Sequence, residues 1–333
     1  LELVLEDLYI EMYSRQILVE GIGVKGQKIL RRSRVAVIGA GATGSSVAEM
    51  LARVGIGFLR IVDRDIVDLS NIPRCHLFEY SDYIERKPKA YAVAEKLSRI
   101  SPYIAVEPLA INVNSDNVAE IIRDVDLVID ALDNLEAKHL LNEASILYGK
   151  PYIYIGVEGT YGMVLPVIPG RTPCLRCIVR DYINANRGCD VIGTHIVAVT
   201  MVSTIAVSLA IKMLLGKHIE DTLYYVDSSA PEIATLKVKR DPRCPVCSLK
   251  RFEMLSKRQR SEEIAEVCGS PGVYISSPSL LESLDLSDWN VDKKNGVTIY
   301  RKGSIEIIAF EKHILLLARE TREIEEILGK VRR

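Results

Sequence analysis

The sequence predicts an α/β fold: a doubly wound, Rossmann-like sheet, mainly parallel, with antiparallel additions after residue 150 and a small C-terminal α+β appendage. Three observations carry that prediction. Apolar strand-like runs alternate with helical stripes from residue 34 to about residue 155, the pattern of βαβ units. The run "GAGATG" at residues 39–44 stands where the first strand would turn into the next helix. After residue 150 the strand-like runs crowd together, leaving little room for crossover helices and favouring hairpins.

The elements follow in order. Residues 8–33 mix apolar and charged positions as a helix does, with glycine breaks at 21–26. Residues 35–38 read as a buried strand, and the helix after Gly44 carries Val47, Leu51 and Val54 on one face. "GFLRIVDRD" is a second strand. Pro88 opens a helix with the expected stripe Tyr91, Ala94 and Leu97. "IAVEPLAI", "DLVIDALDN" and "PYIYIGVEG" are three further strands, and "GMVLPVIPG", "TLYYVDSSA" and "EIATLKVKR" are the antiparallel additions. Residues 196–211 carry no charge but fall short of the ~20 residues needed to cross a bilayer. They also include Thr200, Ser203, Thr204 and Ser208, so a helix buried inside the large domain is expected. Residues 248–263 are charged and irregular and read as a linker. Beyond it, residues 296–333 read as about three short strands and a closing helix. The chain is thus expected to divide into a large domain, 1–250, and a small α+β domain, 251–333.

Composition excludes several classes of function. The hydrophobic share of 48% suits a globular core, and a net charge of −1 gives no reason to expect nucleic acid or an anionic membrane as partner. The first residues are acidic where a secretory signal would be basic. Four of the seven cysteines form two C-x-x-C pairs. Metal ligation and a cytoplasmic location are therefore expected rather than disulfides.

The motifs point to a nucleotide. Gly39, Gly41 and Gly44 permit a tight turn and let backbone N–H groups approach phosphate. Asp63 follows about 20 residues later, where a carboxylate accepts ribose hydroxyls; Asp65 either adds to it or is a solvated loop acid. The glycine turn alone does not choose between NAD and ATP. Asn71, Arg74 and Lys89 come soon after, and the two cations suit a polyphosphate and the charge that develops in phosphoryl chemistry. Asp130 and Asp133 lie at a strand's C-terminal edge, where a carboxylate can hold Mg²⁺; the alternative is that Asp133 or Asn134 caps the next helix. Cys174, Cys177, Cys244 and Cys247 fit a closed tetrahedral zinc site. Cys189 precedes the start of a helix and is either inert or a nucleophile, with His195 nearby. Cys75 and Cys268 receive no role.

In order along the chain, "YSRQI", "GAGATG", "VDRDIVDLSNIPR", "KPKA", "DALDN", "CLRC", "CDVIGTH…AIKMLLG" and "CPVC" resemble the ThiF/MoeB/HesA family, adenylyltransferases that activate ubiquitin-like proteins. The resemblance spans residues 8 to about 250. It implies ATP as cofactor, with Asp63 at the ribose, Asn71, Arg74 and Lys89 at the triphosphate, and Asp133 serving Mg²⁺ and the α-phosphate. It further implies a homodimer, in which Arg15 reaches the neighbour's ATP site. The implied partner is a small β-grasp carrier ending in Gly-Gly, whose terminal carboxylate is adenylated with release of pyrophosphate. The position of Cys189 resembles one that some relatives use for a thioester or acyl disulfide. Residues 251–333 match no appended domain expected of the family. The alternatives are a relative acting on a small-molecule or RNA carboxylate, a silent binding subunit, and a NAD-dependent oxidoreductase; the last leaves Arg74, Lys89 and the cysteine pairs without a reason.

Overall fold

The computed structural model describes residues 8–179, 193–257, 264–266 and 272–331. The larger sheet has eight strands: β1 Arg34–Ile38, β2 Phe58–Val62, β3 Ala105–Leu109, β4 Leu127–Asp130, β5 Tyr152–Glu158, β6 Tyr161–Val167, β7 Thr222–Asp227 and β8 Glu232–Lys237. Their order is β3-β2-β1-β4-β5-β6-β7-β8. β1 to β5 pair parallel, and β5 to β8 pair antiparallel. The change of sense follows from connection length. Only Gly159 and Thr160 join β5 to β6, which suffices for a hairpin but not for a parallel crossover.

Side chains alternate between the two faces of the parallel half. Val35, Val37, Leu59, Ile61, Leu127 and Ile129 share one core with helices α1 Gly23–Arg32, α2 Ala42–Val54, α3 Lys89–Ile100 and α5 Ile196–Leu214. Ala36, Ile38, Val62, Val128 and Tyr152 share the other with α4 Leu135–Leu147 and the turn of helix at Val118–Ile122. Strand order reverses between β1 and β4. Their carboxyl ends therefore open a crevice at the switch point, the usual ligand position in such sheets.

Two expectations about helices are corrected. In α3 the buried apolar stripe is Ala90, Val93 and Leu97, while Tyr91 is exposed. Pro88 is the N-cap, so the helix begins at Lys89 and turns residues 90, 93 and 97 inward. Helix α5 is buried on one side only. Ala198, Val199, Val202, Ala206 and Ala210 pack inward, whereas Ile196 and Val197 are exposed. Its length and composition would allow it to cross a membrane, but it lies against α2, β5 and β6.

The charged stretch after residue 248 is partly docked. A helical turn at Glu253–Ser256 buries Met254, and the Glu143 carboxylate of α4 accepts from the N–H groups of Met254 and Leu255 at 2.9 and 3.1 Å. The smaller sheet is antiparallel, β11-β12-β13-β14-β10-β9. Its strands are β9 Ile264–Glu266, β10 Gly272–Ile275, β11 Asn290–Lys294, β12 Val297–Lys302, β13 Ile305–Ala309 and β14 Ile314–Leu317. Helix α6, Thr321–Val331, covers one face through Ile324 and Ile327. The expected three strands and helix are β12 to β14 and α6. β11 joins β12 through Asn295-Gly296, both at positive φ, the two-residue turn that suits a hairpin. The other face of this sheet (Tyr274, Ile299, Phe310, Leu315) packs on Ile66, which lies just beyond the end of β2.

Candidate functional site

The glycine turn is built by close approach. Gly39 has φ +92°, donates its N–H to the Val62 carbonyl at 2.8 Å, and leaves only 2.6 Å between a Cβ and the Ala131 carbonyl oxygen. A Cβ on Gly44 would lie 1.8 Å from the Gly39 oxygen, so α2 can meet β1 only without a side chain there. A Cβ on Gly41 would touch nothing within 4 Å. The first and third glycines thus serve packing, and the second faces the open crevice at the N-terminus of α2.

Asp63 closes the turn from the β2 side. Its Oδ2 accepts from the Ala40 N–H at 2.7 Å and its Oδ1 from the Asp65 N–H at 2.8 Å. Loss of water pushes its pKa up to about 6, against the pull of the Lys89 ammonium. Asp65 is not a solvated loop acid: its Oδ2 pairs with Lys89 Nζ at 3.1 Å. Burial opposes its ionisation, but Lys89, followed by Arg64, outweighs burial and holds Asp65 below the usual carboxylate range. Lys89 is buried at the start of α3. Burial alone would lower its pKa, but Asp65, Asp63 and, more weakly, Asp133 raise it, so the ammonium stays charged. Asp133 itself is exposed on the loop between β4 and α4.

Arg74 lies in the next segment, its Nε donating to the Ser70 carbonyl at 3.3 Å. Asn71 is buried and accepts from the Asp68 N–H at 2.9 Å, which completes a capping box around the turn Leu69–Asn71. Cys75 sits between these groups. Burial pushes its thiol up to about 11, and Lys89, Arg74 and Asp63 all act on it. The structure therefore gathers residues 39–44, Asp63, Asp65, Lys89 and Asp133 at one crevice, with Arg74 beside it.

One expectation meets a different geometry. Asp130, at the end of β4, faces inward. Its Oδ1 accepts from Lys138 Nζ at 3.1 Å and from the Leu132 N–H at 3.1 Å, and its Oδ2 from the Tyr152 hydroxyl at 2.5 Å. With its oxygens spent in the core, Asp130 is no metal ligand. The helix cap is Asn134, which accepts from the N–H groups of Glu136 and Ala137, so Asp133 is not needed as the cap. Arg15 is exposed on the turn Ser14–Ile17, where Gln16 bonds the Val54 carbonyl at 2.8 Å. That is the far end of α2, about 20 Å from the glycine turn for a helix of this length. Cys189 lies among residues 180–192, outside the described residues. Lys138 escaped the sequence reading. Its signal was a lysine on the apolar side of "LEAKHLLNEASIL", eight residues after Asp130.

The four paired cysteines meet. Their Sγ atoms all lie within 4.8 Å of one another, Cys174–Cys244 at 3.7 Å and Cys177–Cys247 at 3.4 Å. Tetrahedral Zn–S bonds of about 2.3 Å place sulfurs about 3.8 Å apart, so this donor set fits a zinc ion.

Comparison with known proteins identifies relatives of this chain. The ThiF family pattern matches residues 13–246. The Sulfur carrier protein ThiS adenylyltransferase of Bacillus subtilis is 37% identical over 277 residues, which is 82% of this chain and 82% of that protein. The Sulfur carrier protein adenylyltransferase of Thermus thermophilus is 34% identical, over 72% of this chain and 90% of that protein. The Molybdopterin-synthase adenylyltransferase of Escherichia coli is 30% identical, over 73% and 98%. Among solved structures, E. coli MccB with MccA-N7isoASN shares the fold at a TM-score of 0.63 and 21% identity, over 72% of this chain and 74% of that one. The family pattern spans the eight-stranded sheet, the glycine turn and three of the four paired cysteines, and with these relatives it shows that the chain belongs to the ThiF family.

Proposed function

We propose that this protein is an ATP-dependent adenylyltransferase that activates the C-terminal glycine carboxylate of a small ubiquitin-like, β-grasp sulfur-carrier or modifier protein. The observation that carries the reading is the convergence of Asp63, Lys89 and Asp133 on the open glycine turn, in a chain whose relatives are named sulfur carrier adenylyltransferases. In this reading Asp63 accepts the ribose hydroxyls, and the N-terminus of α2 faces phosphate across Gly41. Lys89, held by Asp65, and Arg74, which follows the turn that Asp68 and Asn71 close, offset the repulsion between a carboxylate and a triphosphate. The carrier carboxylate oxygen attacks the α-phosphorus, the bond to the β-phosphate oxygen breaks, and pyrophosphate leaves with the electron pair. The product is a carrier acyl-adenylate. Asp133, exposed at the mouth, is the carboxylate to hold Mg²⁺, which would neutralise phosphate charge. Zn²⁺ in the four-cysteine cluster would be structural, with every position filled by protein.

The protein acts as a homodimer in this reading. Anchored at the far end of α2, Arg15 is out of reach of its own glycine turn, which suits a residue that serves a neighbour's site. A cytoplasmic setting, where thiols stay reduced, suits the zinc cluster.

The test is carrier-dependent ATP–pyrophosphate exchange with each β-grasp protein ending in Gly-Gly from the same organism. Exchange is expected with one carrier, lost in Asp133→Ala and kept in Cys189→Ala, which confines Cys189 to a later acyl transfer. ATP binding without exchange for any carrier would overturn the carrier reading and favour a small-molecule or RNA carboxylate.

A further inference from the structure

We propose that the C-terminal sheet is a buttress of the nucleotide site and that His313 is a positioning residue for Asp63. The inference rests on the reading of Asp63 as the ribose carboxylate. Its core is a single peptide plane. The Arg64 carbonyl and the Asp65 N–H belong to the same rigid peptide unit. On one side the Asp65 N–H donates to Asp63 Oδ1 at 2.8 Å. On the other side His313 Nε2 lies 3.0 Å from the Arg64 carbonyl oxygen. A carbonyl only accepts, so Nε2 carries the proton and donates. Holding the oxygen holds the N–H, and the N–H aims the Asp63 carboxylate.

His313 is well placed to hold one orientation. It is 1% exposed, between β13 and β14. Its ring stacks on Phe310, with centroids 4.1 Å apart and planes 15° apart, and tilts against Tyr274 at 5.1 Å. Burial pushes its pKa down to about 4, so the ring is neutral at pH 7. The same sheet grips the neighbouring residues. The Arg64 guanidinium lies 4.7 Å over the Tyr274 ring, with its Nε 3.7 Å from Asp65 Oδ1. Ile66 is buried among the apolar residues of the sheet. Arg86 pairs with Glu306 at 2.9 Å. The gripped segment continues into the site, because Ile66 bridges Pro88 and the Lys89 N–H donates to the Asp65 carbonyl at 2.8 Å. Residues 63–66 are thus held between the start of α3 and the appended sheet. Such support keeps a binding group in its bound geometry before the ligand arrives.

The experiment compares wild type, His313→Phe and His313→Gln in the full chain. Phenylalanine keeps the stacking but removes the donor; glutamine carries an amide N–H that can replace it. ATP binding is measured by calorimetry, and exchange kinetics are measured with the carrier. His313→Phe is expected to weaken ATP binding and raise KM for ATP about five- to tenfold, the worth of one buried hydrogen bond, with kcat and the carrier KM within about twofold. His313→Gln is expected to restore ATP affinity to within about twofold of wild type. If His313→Phe fails to fold, Tyr274→Leu, which removes the platform under Arg64, is expected to weaken ATP binding in the same sense. Unchanged ATP affinity in the folded variants overturns the inference, as does a kcat loss without a KM change, or a glutamine variant no better than phenylalanine. Wild type that binds no ATP overturns the reading of the site and this inference with it; wild type that binds ATP beside an equally tight His313→Phe overturns the inference alone.

Discussion

Asp63 and Asp130 show how differently one residue type behaves when its surroundings change. Asp63 has a pKa pushed up to about 6 by burial. The folded carboxyl therefore holds its proton more tightly than the unfolded one. Any stability from that proton is present below the ordinary value of about 4 and is lost as the pH rises to about 6. Accepting ribose hydroxyls favours the ionised form, so ATP binding should weaken as the pH falls through about 6. Asp63→Asn should bind ATP more weakly and lose that part of the pH dependence; calorimetry on both proteins across pH 5 to 8 separates it from the titration of ATP itself. Asp130 is a core group instead. Removing it in Asp130→Ala leaves the Lys138 ammonium buried beside the Tyr152 hydroxyl without its counter-charge. The expected loss is about 3–5 kcal/mol of stability, read by urea denaturation. Asp130→Ala with Lys138→Met should lose less than Asp130→Ala alone.

At the scale of elements, the unit β1–turn–α2 separates two packing glycines from one that faces open space. Gly44→Ala places a methyl group against the Gly39 oxygen, backbone against backbone, where neither side can give way cheaply. Loss of soluble, cooperatively folding protein is expected, or a melting temperature lower by 10 °C or more on the order-of-magnitude scale of such clashes. Gly41→Val enters open space. It should melt within a few degrees of wild type yet lose most ATP affinity, because the side chain occupies the path of the phosphates. Paired melting and binding measurements on the two variants decide the assignment; equal effects on both would refute it.

At the scale of the whole molecule, the paired cysteines tie distant parts of the chain. The knuckle at Cys174 follows β6, and the one at Cys244 follows β8, with 66 residues (178 to 243) between the two pairs. Leu175 is further held to α4 through its N–H to Asn142 at 3.0 Å. A metal bound here would close a long loop, and losing it would cost several kcal/mol. Chelation, or Cys247→Ser, is expected to lower the melting temperature and release about one zinc per chain. ATP binding at the glycine turn should persist while the protein remains folded. Zinc absent from the purified protein by elemental analysis would refute the assignment.

Much of this was legible in the sequence, for local reasons. Apolar periodicity marks strands and helices wherever a face must be buried, glycines mark where backbones touch, and two C-x-x-C corners mark four thiols that converge. Asn295-Gly296 was an equally local hairpin signal and would have revealed β11. Other features depend on what a side chain meets across the fold. Asp130 and Asp133 are three residues apart at one strand end, and only the Lys138 and Tyr152 side chains decide which turns inward. The true face of α3 depends on Pro88 setting its first residue. The hold of His313 on Arg64 joins positions 249 apart, and no periodicity records it. By itself the sequence determined the strand–helix order, the glycine turn and the two cysteine corners, because sterics and spacing act over a few residues. Only the tertiary structure decided which acids face the crevice and what the appended sheet touches, because burial, desolvation and contact are properties of the assembled core.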